Sequence, residues 1–317
     1  MKKSMQKLSM FAGFVTGSLA LMHMYNKFIF LTSMKKEALY RCNQQYYSWR
    51  FGKIAYTKRG SGSPLLLVHD LSNTGSNYEF KELERILSET HTVYSIDLIG
   101  CGQSSKPNII YTNYLYVQLL HDFIENIIQD KPVLVTSRSS SAIGVMSSYI
   151  NSNQIEKLVL INPSDLKTLN KYPKQKHKLL KWCFELPIVG TFLYNQMATK
   201  AVVAKKFNTD YLYGNKPLSH YKAAFYEAAH TSGASSKYLY TSVRCHYTNT
   251  NIIHALKGIS TPICILQGES SSNSDSIAIQ YETLCPAIEN IVVIPNTAGM
   301  PHIEKPSSCA EAIEDFL

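Results

Sequence analysis

The chain has 317 residues, of which 45% are hydrophobic and 17% charged, enough for one large α/β domain with an insertion. The formal net charge is +9, yet no zinc-finger or RNA-recognition signature is present, so nucleic acid is not an expected partner. The seven cysteines are an odd number without a C-x-x-C pair, which favours a reducing compartment for the main domain. Their spacing suits no metal, and neither a metal nor a cofactor is expected.

The first 33 residues form an apolar segment. Leu8–Tyr25 runs without a charge, and Phe28–Leu31 extends its apolar character. This length is sufficient to span a bilayer, so residues 1–33 are predicted to be an uncleaved, single-pass membrane anchor. A secretory signal cleaved after Ala20 is the alternative. Lysines flank the segment on both sides, which leaves the side of the membrane open.

Beyond the anchor, apolar strands alternate with helical segments. A hairpin of the strands WRF and KIAYTKR comes first, within Tyr47–Arg59. Later strands are predicted at Pro64–Val68, Thr92–Ile96, Pro132–Thr136, Lys157–Ile161, Thr261–Glu269 and Asn290–Ile294. Helices are expected at Tyr78–Glu89, Asn113–Ile128 and Ala142–Tyr149. The alternation predicts a mostly parallel sheet with helices on both faces, built from residues 34–163 and 259–317.

Residues 164–258 interrupt this alternation. They contain no clear buried strand and are predicted to form a helical cap. Nine lysines and one acid fall between Leu166 and Phe207. These lysines form either a solvated face or a surface that meets anionic lipid or an acidic partner.

Five motifs occur in an order that points to a known family. The most specific, DLIGCGQSSKP, matches the pattern D-x-x-G-x-G-x-S-x-x-P. The full set is LLLVHD, SIDLIGCGQSSKP, VLVTSRSSS, PICILQGE and GMPHIEKP. With these motifs the chain resembles the α/β-hydrolase superfamily, in the branch of capped esterases, haloperoxidases and epoxide hydrolases. The resemblance implies an α/β-hydrolase fold with an inserted helical cap.

The stretch Val133–Tyr149 has the strand, turn and helix of a nucleophile elbow, whose pattern is G-x-S-x-G. Here both glycines are serines, in Ser137–Ser141. The resemblance implies that Ser139 is the nucleophile; the alternative is a serine-rich turn that only caps the helix.

The resemblance also implies an oxyanion hole made by the backbone N–H groups of Leu71 and Ser140. His69 resembles a structural histidine of the family. Asp70 stands where the family usually has glycine, and its charge is expected to point away from the site, because it would oppose an oxyanion.

The acid and the base depart from the family pattern. Ser271 stands where the acid is usual, so Glu269 and Asp275 are the local candidates, and Asp165 is a third. Gly299 stands where the family has its catalytic histidine, and His302 follows three residues later. His302 is either the general base or a structural residue at the start of the last helix.

Two functions remain open. The first is a membrane-anchored serine hydrolase that acts on esters, including lipid-derived ones, through Ser139. The second is a non-catalytic α/β-hydrolase fold that serves as a membrane-tethered binding or interaction module. The losses at the elbow, the acid and the base favour the second; the elbow context and the anchor favour the first.

Overall fold

The computed structural model describes residues 2–41, 43–214, 218–272 and 274–317. Its centre is an eight-stranded sheet with the order β1-β2-β4-β3-β5-β6-β7-β8. The strands are β1 (Gln44–Trp49), β2 (Gly52–Arg59), β3 (Pro64–Val68), β4 (Thr92–Ile96), β5 (Val133–Ser137), β6 (Leu158–Ile161), β7 (Ile263–Gly268) and β8 (Ile288–Ile294). Strands β1, β2 and β4 pair antiparallel, and all the remaining pairs are parallel.

The first hairpin differs from its prediction. Its first strand ends at Trp49, so WRF is not a strand, and Arg50 and Phe51 form the turn that returns the chain at Gly52. Gly52 has a φ of 137°, which a side chain would oppose, so the glycine fixes the reversal at this place. The predicted strands Pro64–Val68 and Thr92–Ile96 are confirmed.

Alternating side chains of the parallel strands form two cores, one on each face. Leu66 and Leu134 belong to the larger core, which packs against α3 (Asn113–Phe123), α4 (Ser141–Ile150) and α11 (Ile253–Gly258). Leu67 and Val135 belong to the second core, with α2 (Lys81–Leu87) and α14 (Pro306–Glu314). Successive side chains of a strand point to opposite faces of the sheet. Because both faces are buried here, the strands appear in the sequence as continuous apolar runs. The predicted fold class is confirmed.

The segment between β6 and β7 is helical in the residues that the structure describes, and we call it the cap segment. Its helices are α5 (Leu166–Leu169), α6 (Gln175–Glu185), α7 (Val189–Met197), α8 (Lys200–Lys206), α9 (Ser219–His230), α10 (Ser236–Arg244) and α11. A π-helical turn, Phe207–Tyr211, follows α8. After β7 come α12 (Ser274–Leu284), β8, α13 (Pro301–Glu304) and α14.

The N-terminal helix α1 (Lys2–Ser33) is continuous. Lys3–Ser33 has a mean hydropathy of 1.3 in its most apolar stretch, so it is long and apolar enough to cross a membrane; a signal sequence has the same properties. Its last turns contact the cap segment. The Asn26 amide donates to the Ile188 carbonyl (3.1 Å), and the rings of Tyr25 and Phe192 meet edge to face.

The six described cysteines are unpaired, and Cys42 lies outside the described residues. Cys264 is fully buried in β7, as the sequence predicts for a cysteine that packs as a small hydrophobic residue.

Candidate active site

The elbow forms where β5 meets α4, but its apex is Arg138. β5 ends at Ser137, and Arg138 alone in this turn has a positive φ, of 52°. In a nucleophile elbow the strained residue carries the nucleophile. Arg138 therefore occupies the nucleophile position by backbone geometry, and Ser139 follows it. The predicted register of the motif is wrong by one residue, because without the two glycines of the family pattern the sequence does not mark the apex.

Ser140 links the elbow to the sheet through hydrogen bonds. It is fully buried, and its hydroxyl lies 3.1 Å from the Val68 carbonyl oxygen and 2.7 Å from that of Ser137. The same hydroxyl accepts the Ser137 N–H at 3.1 Å. These bonds make Ser140 a structural residue of the turn, and its predicted role as an oxyanion donor remains a prediction. Since Arg138 is the apex, the N–H one residue after it belongs to Ser139.

Asp70 points into the elbow, so the expectation that it points away is wrong. Its Oδ1 accepts the Ser139 N–H at 3.1 Å and the Ser139 hydroxyl in a short hydrogen bond. The Ser139 hydroxyl also lies 3.3 Å from the Leu71 carbonyl oxygen. The structure thus brings Ser139 next to Asp70 and Leu71 in the loop after β3. The role of the Leu71 N–H as an oxyanion donor remains a prediction.

Two buried side chains hold Asp70 in this orientation. The Glu79 carboxylate accepts the Asp70 N–H at 3.1 Å. The imidazole of His69 is fully buried; its Nε2 accepts the Leu98 N–H (3.1 Å), so its Nδ1 donates to the Asp70 carbonyl at 2.8 Å. His69 is therefore structural, as the resemblance implies, and it connects the loops that follow β3 and β4.

Arg138 places a positive charge beside this carboxylate. Its Nε lies 3.8 Å from Asp70 Oδ2, and one terminal nitrogen donates to the Gly299 carbonyl at 3.3 Å. Its guanidinium stacks over the Tyr211 ring at 4.8 Å. Burial raises the pKa of Tyr211, and the charges of Lys206 and Arg138 oppose that rise.

The predicted pair of Ser139 and His302 does not form. His302 is buried, its Nε2 lies 3.0 Å from Glu79 Oε1, and its ring stacks on Phe80. The hydrogen-bond partners of the Ser139 hydroxyl are Asp70 and Leu71. His302 is thus linked to the elbow through Glu79, whose other oxygen accepts the Asp70 backbone N–H. This arrangement contradicts a Ser139–His302 hydrogen bond and makes His302 a positioning residue.

Gly299, at the position of the usual catalytic histidine, cannot carry a side chain without movement. A Cβ there would overlap the Asp210 carbonyl oxygen and lie 2.7 Å from the Arg138 guanidinium. The space that a histidine needs is filled by the cap segment and by Arg138.

The Glu79–His302 pair is electrostatically coupled. Burial raises the pKa of Glu79, but the hydrogen bond and charge of His302 outweigh it and hold the pKa below its ordinary value. Glu79 is therefore an ionised, fully buried carboxylate, which needs its partners. It was not predicted, because it is 223 residues from His302 in sequence and belongs to none of the motifs.

The three predicted acids form hydrogen bonds with residues other than His302. Glu269 is exposed and accepts the Asn296 N–H (2.7 Å), and Asp275 accepts from the Gln267 amide (2.8 Å). Asp165 caps α5 through the Lys167 N–H (3.1 Å). Ser271 donates its N–H to the Gly268 carbonyl. None of these hydrogen bonds involves His302, and a catalytic role for Glu269 or Asp275 remains a prediction.

A cavity of about 490 Å³ lies between the loop after β3 and the cap segment. Asn73 and Thr74 line it from the loop, and Tyr211, whose ring contacts the Arg138 guanidinium, lines it from the cap segment. Its other walls are mainly apolar, with Phe184, Val203 and Phe225 among them, and two cations, Lys206 and Arg244, complete it. A mostly apolar cavity with a few charges is the usual form of a small-molecule site.

Among the residues that the structure describes, one group of side chains could hold a metal ion. His121, Asp122 and Glu125 bring three ligand atoms within 4.8 Å of one another. Asp122 already accepts hydrogen bonds from Trp49 (2.7 Å) and Arg50 (2.6 Å), which compete with a metal.

The known proteins that resemble this chain include hydrolases, both in sequence and in fold. No protein-family model matches the chain. A 2-hydroxy-6-oxo-6-(2'-aminophenyl)hexa-2,4-dienoic acid hydrolase of Metapseudomonas resinovorans is 31% identical over 114 residues, which cover 35% of this chain and 39% of the relative. The chain thus aligns with about two fifths of that relative's length.

Two solved structures illustrate the match in fold. A serine hydrolase involved in carbazole degradation superposes with a TM-score of 0.71 at 19% identity, over 86% of this chain and 97% of its own. A membrane phospholipase A, described as a bacterial virulence factor, has a TM-score of 0.66 at 19% identity and covers 100% of this chain and 98% of its own. Hydrolases thus recur among both the relatives and the structural neighbours. The sheet order, the elbow, the cap segment and these structural neighbours together show that the chain has the α/β-hydrolase fold.

Proposed function

We propose that the chain is a membrane-tethered ester hydrolase in which Ser139 is the nucleophile and Asp70 replaces histidine as the general base. The observation that carries this proposal is the hydrogen bond from the Ser139 hydroxyl to Asp70 Oδ1. A serine becomes a useful nucleophile when a base within hydrogen-bond reach accepts its proton, and carboxylates serve as such bases.

The reaction follows from this pair. Ser139 Oγ attacks the ester carbonyl carbon while its proton passes to Asp70. Collapse of the tetrahedral intermediate breaks the bond to the leaving alcohol, which takes that proton from Asp70, and an acyl-serine remains. Water then attacks the acyl carbon and gives a proton to Asp70, which returns it to Ser139 as the acid departs. The Arg138 guanidinium, 3.8 Å from Asp70, supplies positive charge for the developing oxyanion.

The cavity indicates the substrate class. Its apolar walls suit an acyl chain, and Lys206 and Arg244 suit a substrate that also carries a negative charge. A small-molecule or lipid-like ester with an anionic group meets both requirements.

The membrane tether rests on α1. The helix is long and apolar enough to cross a bilayer, and its last turns contact the cap segment through Asn26 and Tyr25. A tether here would hold the cap segment at the membrane surface, and the nine lysines between residues 166 and 207 favour an anionic one.

The proposal is tested on the full chain in detergent with a fluorophosphonate probe, which reacts with activated serines. The wild-type protein should be labelled, and Ser139→Ala should not. Asp70→Asn keeps the shape of the side chain but removes the base, and should lower the labelling rate by about 10²–10⁴-fold. Ser235→Ala, at an unrelated serine of the cap segment, is the matched control.

Two results would reject the proposal. Folded wild-type protein that takes no label has no activated serine. Labelling that survives in Ser139→Ala has its origin at another residue.

A non-catalytic binding module is the second candidate. It is favoured by the Arg138–Asp70 ion pair at the nucleophile position and by Gly299 at the position of the base. In this case the cavity would bind an anionic amphiphile such as dodecanoate without turnover. Thermal stabilisation by dodecanoate, equal in wild type and Ser139→Ala and absent in Lys206→Gln, together with no labelling, would support this candidate.

A further inference from the structure

A second cleft lies at the junction of α1 and the cap segment. It has a volume of about 490 Å³, and we call it the lysine cleft, after Lys35, Lys36, Lys200 and Lys222, which line it together with Thr32 and Ser33. The first two lysines follow the end of α1, and the other two belong to α8 and α9. Nothing in the proposed hydrolysis uses these residues.

The positive charge of the lysine cleft is not compensated. Among the lining residues that the structure describes there is no carboxylate. In the described parts of the chain, no ion pair involves any of the four lysines. Lys200 instead lies over the Tyr226 ring at 5.4 Å. Four like charges around one concavity repel one another unless an anion enters it.

The exposed apolar surface of α1 places the cleft relative to a membrane. Phe28 and Leu31 are 63% and 73% exposed, and Leu31 directly precedes Thr32 at the edge of the cleft. A bilayer that covers this exposed surface must therefore reach Leu31. Residues 8–31 of a helix extend about 36 Å, enough for a hydrocarbon core of about 30 Å with a modest tilt. The cleft then lies at the level of the lipid headgroups.

We propose that the lysine cleft binds the phosphate headgroup of an anionic phospholipid next to the membrane helix. The lipid's acyl chains would lie along the exposed apolar surface of α1, and its phosphate would enter between the two pairs of lysines. Such a lipid would join α1 to α8 and α9, and so set the orientation of the cap segment on the membrane. The inference rests on the membrane tether of the proposed function and is independent of its hydrolytic chemistry.

The test measures the acetylation rate of each lysine by mass spectrometry. The full chain is reconstituted in vesicles of phosphatidylcholine alone, or with a minority of phosphatidylglycerol. In the anionic vesicles Lys200 and Lys222 should react about fivefold more slowly, since one lysine gains about that factor from an anionic lipid surface. Inorganic phosphate added to the phosphatidylcholine vesicles should not reproduce this protection.

A pair of variants separates a site from a diffuse surface effect. Lys35→Gln with Lys36→Gln removes one side of the cleft and should return the acetylation rates of Lys200 and Lys222 to those in neutral vesicles. Lys178→Gln with Lys205→Gln removes the same charge from exposed positions of the cap segment outside the cleft, and should leave the protection unchanged.

Each contrary outcome has one meaning. Equal acetylation in both vesicle types, with the protein bound to both, overturns the headgroup site but leaves the tether and the hydrolase standing. Protection that inorganic phosphate reproduces, or that persists in the Lys35/Lys36 variant, overturns it as well. Failure to associate with either vesicle rejects the tether and the headgroup site together. The fluorophosphonate result decides the hydrolase separately.

Discussion

The Ser139 hydroxyl donates its hydrogen bond to the carboxylate of Asp70. This hydrogen bond takes the place of the predicted contact between Ser139 and His302. The carboxylate also accepts the Ser139 N–H and lies beside the Arg138 guanidinium. Glu79 accepts the backbone N–H of Asp70 and also binds His302. The histidine of the C-terminal motif is thus separated from the serine by Asp70 and Glu79.

Arg138 should decide which esters are accepted. In Arg138→Gln, kcat/KM for an ester with a carboxylate in its acyl part should fall by about tenfold or more, since a charge-assisted contact in a secluded site is lost. The value for a neutral ester of equal length should fall much less. Steady-state kinetics on both esters measures the ratio, with Lys178→Gln as the control. An equal fall for both esters would mean that Arg138 serves only to position Asp70.

His302 should matter for stability more than for chemistry. His302→Phe leaves the buried Glu79 carboxylate without its partner, so the free energy of unfolding should fall by about 3–5 kcal/mol. The fluorophosphonate labelling rate per folded molecule should stay within a few fold of wild type, because Asp70 accepts the proton. A labelling rate as low as that of Asp70→Asn, in protein that still shows a cooperative melt, would make His302 the base.

The Glu79–His302 pair should produce a pH dependence with a defined sign. The pKa of Glu79 lies below its ordinary 4.5, so its ionised form stabilises the native state above that pH. This contribution is lost as the pH falls below 4.5. Glu79→Gln lacks it at every pH, so the stability difference between wild type and variant should shrink on acidification. Thermal unfolding in detergent from neutral pH downwards gives the difference. A difference that grows on acidification would contradict a lowered pKa.

Gly299 should tolerate no side chain. In Gly299→Ala the new Cβ meets the Asp210 carbonyl oxygen, which is backbone and cannot swing away, so the protein should lose about 1–3 kcal/mol of stability. Gly258→Ala is a less crowded control, because the atom nearest to its Cβ belongs to the Tyr149 ring. The melting temperatures of both variants measure the effect. The double variant Gly299→His with Arg138→Ser should therefore not hydrolyse esters faster than the wild type, and a faster double variant would contradict this steric account.

Most of the fold was readable in the sequence because it rests on local patterns. The apolar runs at Pro64–Val68 and Thr92–Ile96 are strands of the structure, and the order of the five motifs predicted the α/β-hydrolase fold. The first strand of the hairpin was predicted too far along the chain, because WRF is apolar enough for a strand. The chain reversal depends instead on Gly52.

The site was less readable, for physical reasons that concern single residues. Which residue of Ser137–Ser141 carries the positive φ depends on where β5 ends and on the bonds that Ser140 makes to β3. The role of Glu79 could not be predicted from the sequence, because its partner, His302, is 223 residues away. The sequence by itself determined the sheet, the helices and the place of the elbow, since strand and helix periodicity are encoded in neighbouring residues. Only the tertiary structure decided that Asp70 turns toward Ser139 and that His302 turns toward Glu79, because each orientation is set by hydrogen bonds between residues far apart in the chain.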